Sequence, residues 1–415
     1  MSRKENINQF AWNSLDIFSR LGINFFVYFF FLNLLGADKY ATFVFITLFC
    51  GVAQSLSKLG QNDYLIIKKD INNETLSSIL FLNFLIGFAS VIFLLIIFAS
   101  ISFFAERESS FLISASLMSI SVLITICSNS FLYILQRDQQ FKTLFFLNFT
   151  SSAFGLLLTY VISGNLEDFI YPVLVVLFTQ TFLFVTLIII KPFKFSISQE
   201  SLKNLYNESK LFIIPLMKTR PMMVVTKNID SFSALILGGE ILLLAYNTIK
   251  KIFIYPLSIL YAVLDRWLYP YLAKLANTSE VMNSYSKLTK NIFLTSLITA
   301  IFIFLMIQFV DDLIINYARQ IGITNVNLIL MIYGFLFSWP ICVLPTLIYT
   351  YAKVVRKTDL LPRFAIVQAI SIALCMLATG FIIGGDWITV GYSIAYIIMN
   401  IYILKIFKLV IFSRI

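Results

Sequence analysis

The sequence has no histidine, and its four cysteines, Cys50, Cys127, Cys342 and Cys375, lie scattered through apolar stretches. Without a His/Cys cluster at metal-ligand spacing, most zinc, copper and haem chemistry is excluded, and no cofactor is expected. Cysteines isolated in apolar runs read as small buried side chains, not as a disulfide framework. Charge is the other scarcity: only 13% of the 415 residues are charged, against about 25% in ordinary soluble domains. So few ionisable groups cannot enclose an interior drawn from a chain that is 59% hydrophobic and holds 43 Phe. Soluble domains are therefore excluded, and lipid is the solvent for most of the chain. The polar start, Met1 to Phe10, runs into an apolar segment with no small-residue cleavage site, so the first helix is expected to be retained. The charge that is present is lopsided: 31 Lys and Arg against 21 Asp and Glu, a formal net charge of +10.

Apolar stretches of about 18 or more residues, bounded by charged or turn-forming clusters, give twelve expected membrane helices. They fall near 10–35, 40–60, 76–101, 111–135, 142–163, 169–190, 211–237, 241–268, 288–310, 325–352, 361–383 and 387–409. The expected fold is thus all-α and polytopic, with a six-helix lobe over 1–190, a linker over 191–210 and a second six-helix lobe over 211–415. Twenty-two Lys and Arg fall on one side of this plan, among them Lys68, Lys69, Arg137, Lys191, Arg356 and Lys357; only Lys39, Arg107 and Arg319 fall on the other. Positive loops are retained in the cytoplasm, so both termini are expected there.

Six cations remain within or near the ends of spans: Arg20, Lys218, Arg220, Lys227, Lys250 and Lys251. At a helix centre each costs about 2.5–3.5 kcal/mol, so they must snorkel, pair or line an aqueous cavity. Snorkelling suits Lys218 and Arg220, at the cytoplasmic end of their helix, better than Arg20 and Lys227. Asp16 is placed to pair with Arg20 at i+4, and Asp230 with Lys227 at i−3, which leaves Lys250, Lys251 and Arg220 as the cations without an obvious partner. A cavity with such a surplus suits a phosphate-rich ligand. With no histidine, Asp16, Asp230 and Asp265 are the natural carriers if protons are coupled to transport.

The chain carries a weak internal repeat. Leu34-Leu35-Gly36-Ala37-Asp38-Lys39 closes the first span, and Ile236-Leu237-Gly238-Gly239-Glu240 closes the seventh 202 positions later. Polar residues share a face in the first two helices of each half. Asn13, Asp16, Arg20 and Asn24 recur at three- and four-residue steps in the first span; Thr47, Gly51, Gln54, Lys58 and Gln61 do so in the second. Asn247, Lys250, Lys251, Ser258, Tyr261 and Asp265 line the eighth span, and Arg220, Lys227, Asp230 and Ser231 cluster in the seventh. That arrangement is expected if four helices surround water between two parallel repeats. Pro215 and Pro221 are expected to kink the seventh helix there, and Pro340 and Pro345 the tenth. Trp12, Tyr28, Tyr246 and Tyr261 are open to sugar stacking or to packing.

Leu34-Leu35-Gly36-Ala37-Asp38-Lys39-Tyr40, followed by Lys58-Leu59-Gly60, resembles the polysaccharide-exporter branch of the multidrug/oligosaccharidyl-lipid/polysaccharide (MOP) superfamily, and within it the O-antigen flippases of the Wzx type. Ala37 stands where the family usually has proline. The resemblance implies a MATE-like fold in a bacterial inner membrane. It implies export of an undecaprenyl-pyrophosphate-linked oligosaccharide to the periplasmic leaflet, for lipopolysaccharide or a related surface polysaccharide. It also implies a central cationic cavity, for which Arg20, Lys218, Arg220, Lys227, Lys250 and Lys251 are the matching residues. Its expected partners are that lipid-linked substrate, membrane lipids, and a polysaccharide polymerase and chain-length regulator; none is a nucleic acid. The competing functions are a multidrug exporter of organic cations, which needs an accessible carboxylate, and a membrane polysaccharide polymerase or glycosyltransferase, which needs a larger outward loop. Asp311-Asp312, in the most charged outward segment, reads as a helix end, not a catalytic pair.

Overall fold

A computed structural model describes residues 3–58, 62, 65, 71–163, 169–273, 278–323, 326–343, 345, 347–348 and 360–407. Its contacts divide the chain into two compact units, Met1–Val224 and Val225–Ile415.

No proline precedes Pro172, so nothing in the covalent chain interrupts the early helices. The first, α1, runs over Arg3–Leu56, and its backbone leaves helical geometry at Gly36 alone, with φ 72° and ψ 173°. A side chain is disfavoured at that φ, so glycine turns the chain from one span into the next without a loop. α2 (Asn73–Phe104) opens under Asn72, whose side chain accepts from the Thr75 amide at 2.8 Å. α3 (Ser109–Arg137) is the most enclosed helix of this unit. Its buried Ser119, Ser121 and Ser128 return their hydroxyls to carbonyls of the preceding turn, so these three donors are satisfied within the helix. α4 (Phe141–Ser163) and α5 (Ile170–Ile190) pack against each other, and α1 packs on α4 and α3. Inside the unit Asn83 donates to Asn62 at 3.0 Å and to Ser130 at 2.6 Å. Around that polar knot lie Leu76, Ile79, Leu80, Phe131, Leu135 and Leu187.

α6 (Gln199–Ala273) crosses from the first unit into the second and repeats the device of α1. It breaks only at Gly238 (φ −152°, ψ 23°) and Gly239 (φ 65°, ψ −156°). The 202-residue repeat read from the glycines is therefore a repeat of two looplessly turned helix pairs. The dihedrals stay helical at Pro215 and Pro221, so the backbone break falls at the glycines and not at those prolines. α7 (Thr278–Gln320) is 43 residues long, about 65 Å at 1.5 Å per residue, and so outruns a hydrocarbon core of about 30 Å. Asp311, partly buried, and Asp312, exposed, sit within it, and the helix continues to Gln320; they do not end it.

α8 (Leu328–Ile341) is capped by Asn327, which accepts from Leu330 at 3.1 Å. Pro345 has no amide to offer the carbonyl of Ile341, four residues earlier, and the Asn400 side chain donates to that carbonyl at 2.9 Å instead. α9 (Leu360–Ile382), a 3₁₀ turn at Gly385–Trp387 and α10 (Ile388–Phe407) complete the unit, with α10 packed on both α9 and α8.

Among the described residues, nine helices are long and apolar enough to cross a membrane. Their outward faces carry Phe103, Phe104, Ile189, Phe309 and Phe381, each at least 70% exposed, a surface that only lipid covers. The protein is an all-α, multi-pass membrane protein.

Candidate functional site

Among the described residues each unit holds one buried carboxylate, and each carboxylate holds a cation. In the first unit Asp16 of α1 is 3% exposed. It accepts from Arg20 Nη2 at 2.8 Å, one helical turn on, and from Asn148 Nδ2 of α4 at 2.8 Å. Arg20 Nε also reaches the Asp16 carbonyl at 3.4 Å. The carboxylate is fixed from two helices and fixes the guanidinium in turn, yet the Arg20 side chain is 46% exposed. Its Nη1 makes no hydrogen bond among the described residues, leaving two donors in fixed orientation, as planar recognition of phosphate or carboxylate oxygens requires. Toward the N-terminus the same seam holds Trp12 against Phe145 and Phe146, with Lys142 Nζ 5.6 Å from the centre of its ring.

In the second unit Asp230, also 3% exposed, is paired with Lys250, and the expectation that Lys227 is its partner is corrected. Asp230 lies eight residues before Gly238 and Tyr246 eight residues after it, so the turn brings them face to face across the helix pair. Tyr246 donates its hydroxyl to Asp230 Oδ2 at 2.8 Å, the Ser231 amide donates to Oδ1 at 2.8 Å, and Lys250 reaches back one turn over the Tyr246 ring. Same-helix spacing favoured Lys227; the hairpin register supplies a better-placed cation from the opposite arm. Lys227 is exposed and forms no ion pair among the described residues. Lys250, expected without a partner, is held by Asp230, and Lys251 beside it is partly buried.

Aromatic packing extends the cluster from Tyr246 through Phe335, at 5.3 Å, to Tyr392, at 5.6 Å. There the hydroxyls of Tyr392 and Tyr396 meet at 3.1 Å, with Gln368 at 3.5 Å. Tyr246 is wholly buried, and Tyr28 stands edge-on to Tyr40 at 5.1 Å, so both are packing residues. Lys218, Arg220, Tyr261 and Asp265 lie on the helical backbone of α6, but their side chains are outside the described residues, as is Gln61. Thr47, Gly51, Gln54 and Lys58 are partly buried along their stripe. Asn148, Gln368 and Tyr396 were missed in the sequence; only the recurrence of amides and hydroxyls within apolar helices signals them.

The fold is shared with solved transporters of the MOP superfamily. An inward-facing MATE family multidrug resistance transporter of the MOP superfamily matches with a TM-score of 0.66 at 15% identity, over 98% of this chain and 96% of its own. The lipid II flippase MurJ, in an inward closed conformation, matches at 0.68 and 16% identity, over 96% and 87%. A MOP superfamily transporter from Pyrococcus furiosus Vc1, described as having a binding pocket of reverse polarity that suggests a different function, matches at 0.62 and 13%, over 95% and 94%. No curated protein matches the chain in sequence. Residues 33–317 match the family described as polysaccharide biosynthesis protein, more than half of the chain, and the chain belongs to that family.

Proposed function

We propose that this protein is a flippase that moves a lipid-linked oligosaccharide from the cytoplasmic to the periplasmic leaflet of a bacterial inner membrane by alternating access. The substrate would be an undecaprenyl-pyrophosphate-linked repeat unit of O-antigen or a related polysaccharide. The observation that carries this reading is the combination of a transporter fold with membership of the polysaccharide biosynthesis family. A polysaccharide unit built on the inner side of a membrane must be carried across it, and lipid II, the substrate named for MurJ, is also a lipid-linked unit.

Arg20, Lys227 and Lys251, with Lys218 and Arg220, are the cations proposed for the pyrophosphate. Lys250, tied to Asp230, would take a structural part. Net movement of negative charge outward across an inside-negative membrane is favourable by about 2.3 kcal/mol per charge per 100 mV, so the membrane potential contributes to export. Asp16, Asp230 and Asp265 remain the proposed sites of any proton coupling.

The test is deletion with complementation, reading both surface polysaccharide and the leaflet in which lipid-linked units collect. Accumulation on the cytoplasmic side supports the flippase, single units on the periplasmic side point to a polymerase, and unchanged polysaccharide with altered drug sensitivity points to a multidrug exporter. Arg20→Ala and Lys227→Ala should each lower export; normal surface polysaccharide in both would sink the cationic site.

A further inference from the structure

Along the seam of α1 and α4, beyond Arg20, lies an apolar groove of about 200 Å³. Phe26, Phe30 and Phe31 line it from α1, and Leu157, Thr159 and Tyr160 from α4. Drug-sized ligands occupy pockets of about 300–1,000 Å³, so this groove suits a length of chain and not a compact molecule. Thr159 donates its hydroxyl to the carbonyl of Gly155 at 2.8 Å, which turns a polar side chain into an apolar wall. Phe26, Leu157 and Tyr160 are each more than 60% exposed, so the groove opens outward from the unit.

The groove lies on the same helix pair as the charged site. At about 100° per residue, Phe26, Phe30 and Phe31 centre on the same side of α1 as Trp12, Asp16 and Arg20, the side that meets α4. They lie six to eleven residues beyond Arg20, about 9–17 Å along the axis. A ligand fitting both parts carries an anionic group at one end, for the free edge of the guanidinium, and a flexible apolar chain at the other. Four aromatic rings around the groove suit a branched, unsaturated chain.

We infer that the α1–α4 seam of the first unit binds a phosphorylated polyisoprenyl lipid, its phosphate on Arg20 and its isoprenoid chain in the Phe26–Phe30–Tyr160 groove. The inference rests on the flippase reading and deepens it, placing the tail of the cargo on a particular face of one lobe.

The test uses the full-length protein in nanodiscs and a polyisoprenyl phosphate bearing a diazirine on its chain. Photolabelling should map to the peptides holding Phe26–Phe31 and Leu156–Tyr160, and should be displaced by unlabelled undecaprenyl phosphate but not by an equal amount of phosphatidylglycerol. Leu157→Trp, which fills an exposed wall of the groove, and Arg20→Gln should each lower labelling about tenfold, the effect of losing one good contact. Ile189→Trp, on the exposed face of α5, should leave it unchanged. Labelling confined to other helices, equal displacement by phosphatidylglycerol, or full labelling of folded Leu157→Trp would overturn the inference. Translocation of a fluorescent lipid-linked oligosaccharide in vesicles separates the two claims. Translocation without labelling at the seam removes the inference and leaves the flippase; labelling without translocation removes the flippase and leaves the site.

Discussion

Replacing Lys250 by Met or Asp230 by Asn should each cost far more than replacing both together. The carboxylate is enclosed, its side chain 4% exposed, and the ammonium beside it is 16% exposed. Removing either partner strands the other charge in apolar surroundings, at about 3–5 kcal/mol. In the double variant no charge is stranded, and Asn at position 230 keeps oxygen acceptance for the Tyr246 hydroxyl or the Ser231 amide, so the cost should fall to about 1 kcal/mol, the worth of one ordinary hydrogen bond. The coupling energy should therefore exceed about 3 kcal/mol, where independent sites add to within about 0.5 kcal/mol. For a unit of this size each kcal/mol shifts the midpoint by about 2–4 °C, so the single variants should melt roughly 6–20 °C below the parent and the double variant within a few degrees of it. Thermal unfolding of the purified proteins in one detergent, followed by intrinsic fluorescence, measures all four corners of the cycle. Single effects that simply add would refute the buried-pair argument.

Gly36→Ala and Gly239→Ala should each destabilise by about 1–3 kcal/mol through backbone strain alone, visible as a lower melting temperature; at Gly239 the space around a new Cβ is open, so collision contributes nothing. Asn400→Leu leaves the carbonyl of Ile341 without its donor and should cost about 1–3 kcal/mol in the same assay. Asn148→Leu removes one anchor of Asp16, a hydrogen bond to a charged group worth about 1.5–3 kcal/mol, and should lower polysaccharide export while Arg20 is still present. Export at the parental level in a folded Asn148→Leu protein would show that the orientation of Arg20 does not matter.

The fold was legible because membrane helices advertise themselves. Long apolar runs fix where the helices are, and the glycines at 36 and 238–239 mark the turns that a side chain would strain. The Asp16–Arg20 pair was equally legible, since i and i+4 meet on any helix. Lys250 was not, because its approach to Asp230 depends on which residues a glycine turn sets opposite one another, and that register is a property of two helices, not of one. The first unit shows how weakly repeat symmetry constrains chemistry: eight residues before Gly36, the register Asp230 holds before Gly238, stands the buried Tyr28. An amide in an apolar helix marks Asn148 as unusual, but nothing local names its partner, which lies 132 residues away.

A helix pair turned by one or two glycines has no spare chain at its corner. One residue inserted there would rotate the following helix by about 100°, and Tyr40 and Ala41, now 1% exposed, would swing out of the core. A second would bring the rotation to about 200° and carry the polar stripe of Thr47, Gln54 and Lys58 to the opposite side of the helix. Insertions and deletions are therefore forbidden at Gly36 and Gly238–Gly239. Differences in length among related chains should collect instead in the non-helical stretch before α6, and a tag placed there should be tolerated where the same tag at either corner is not.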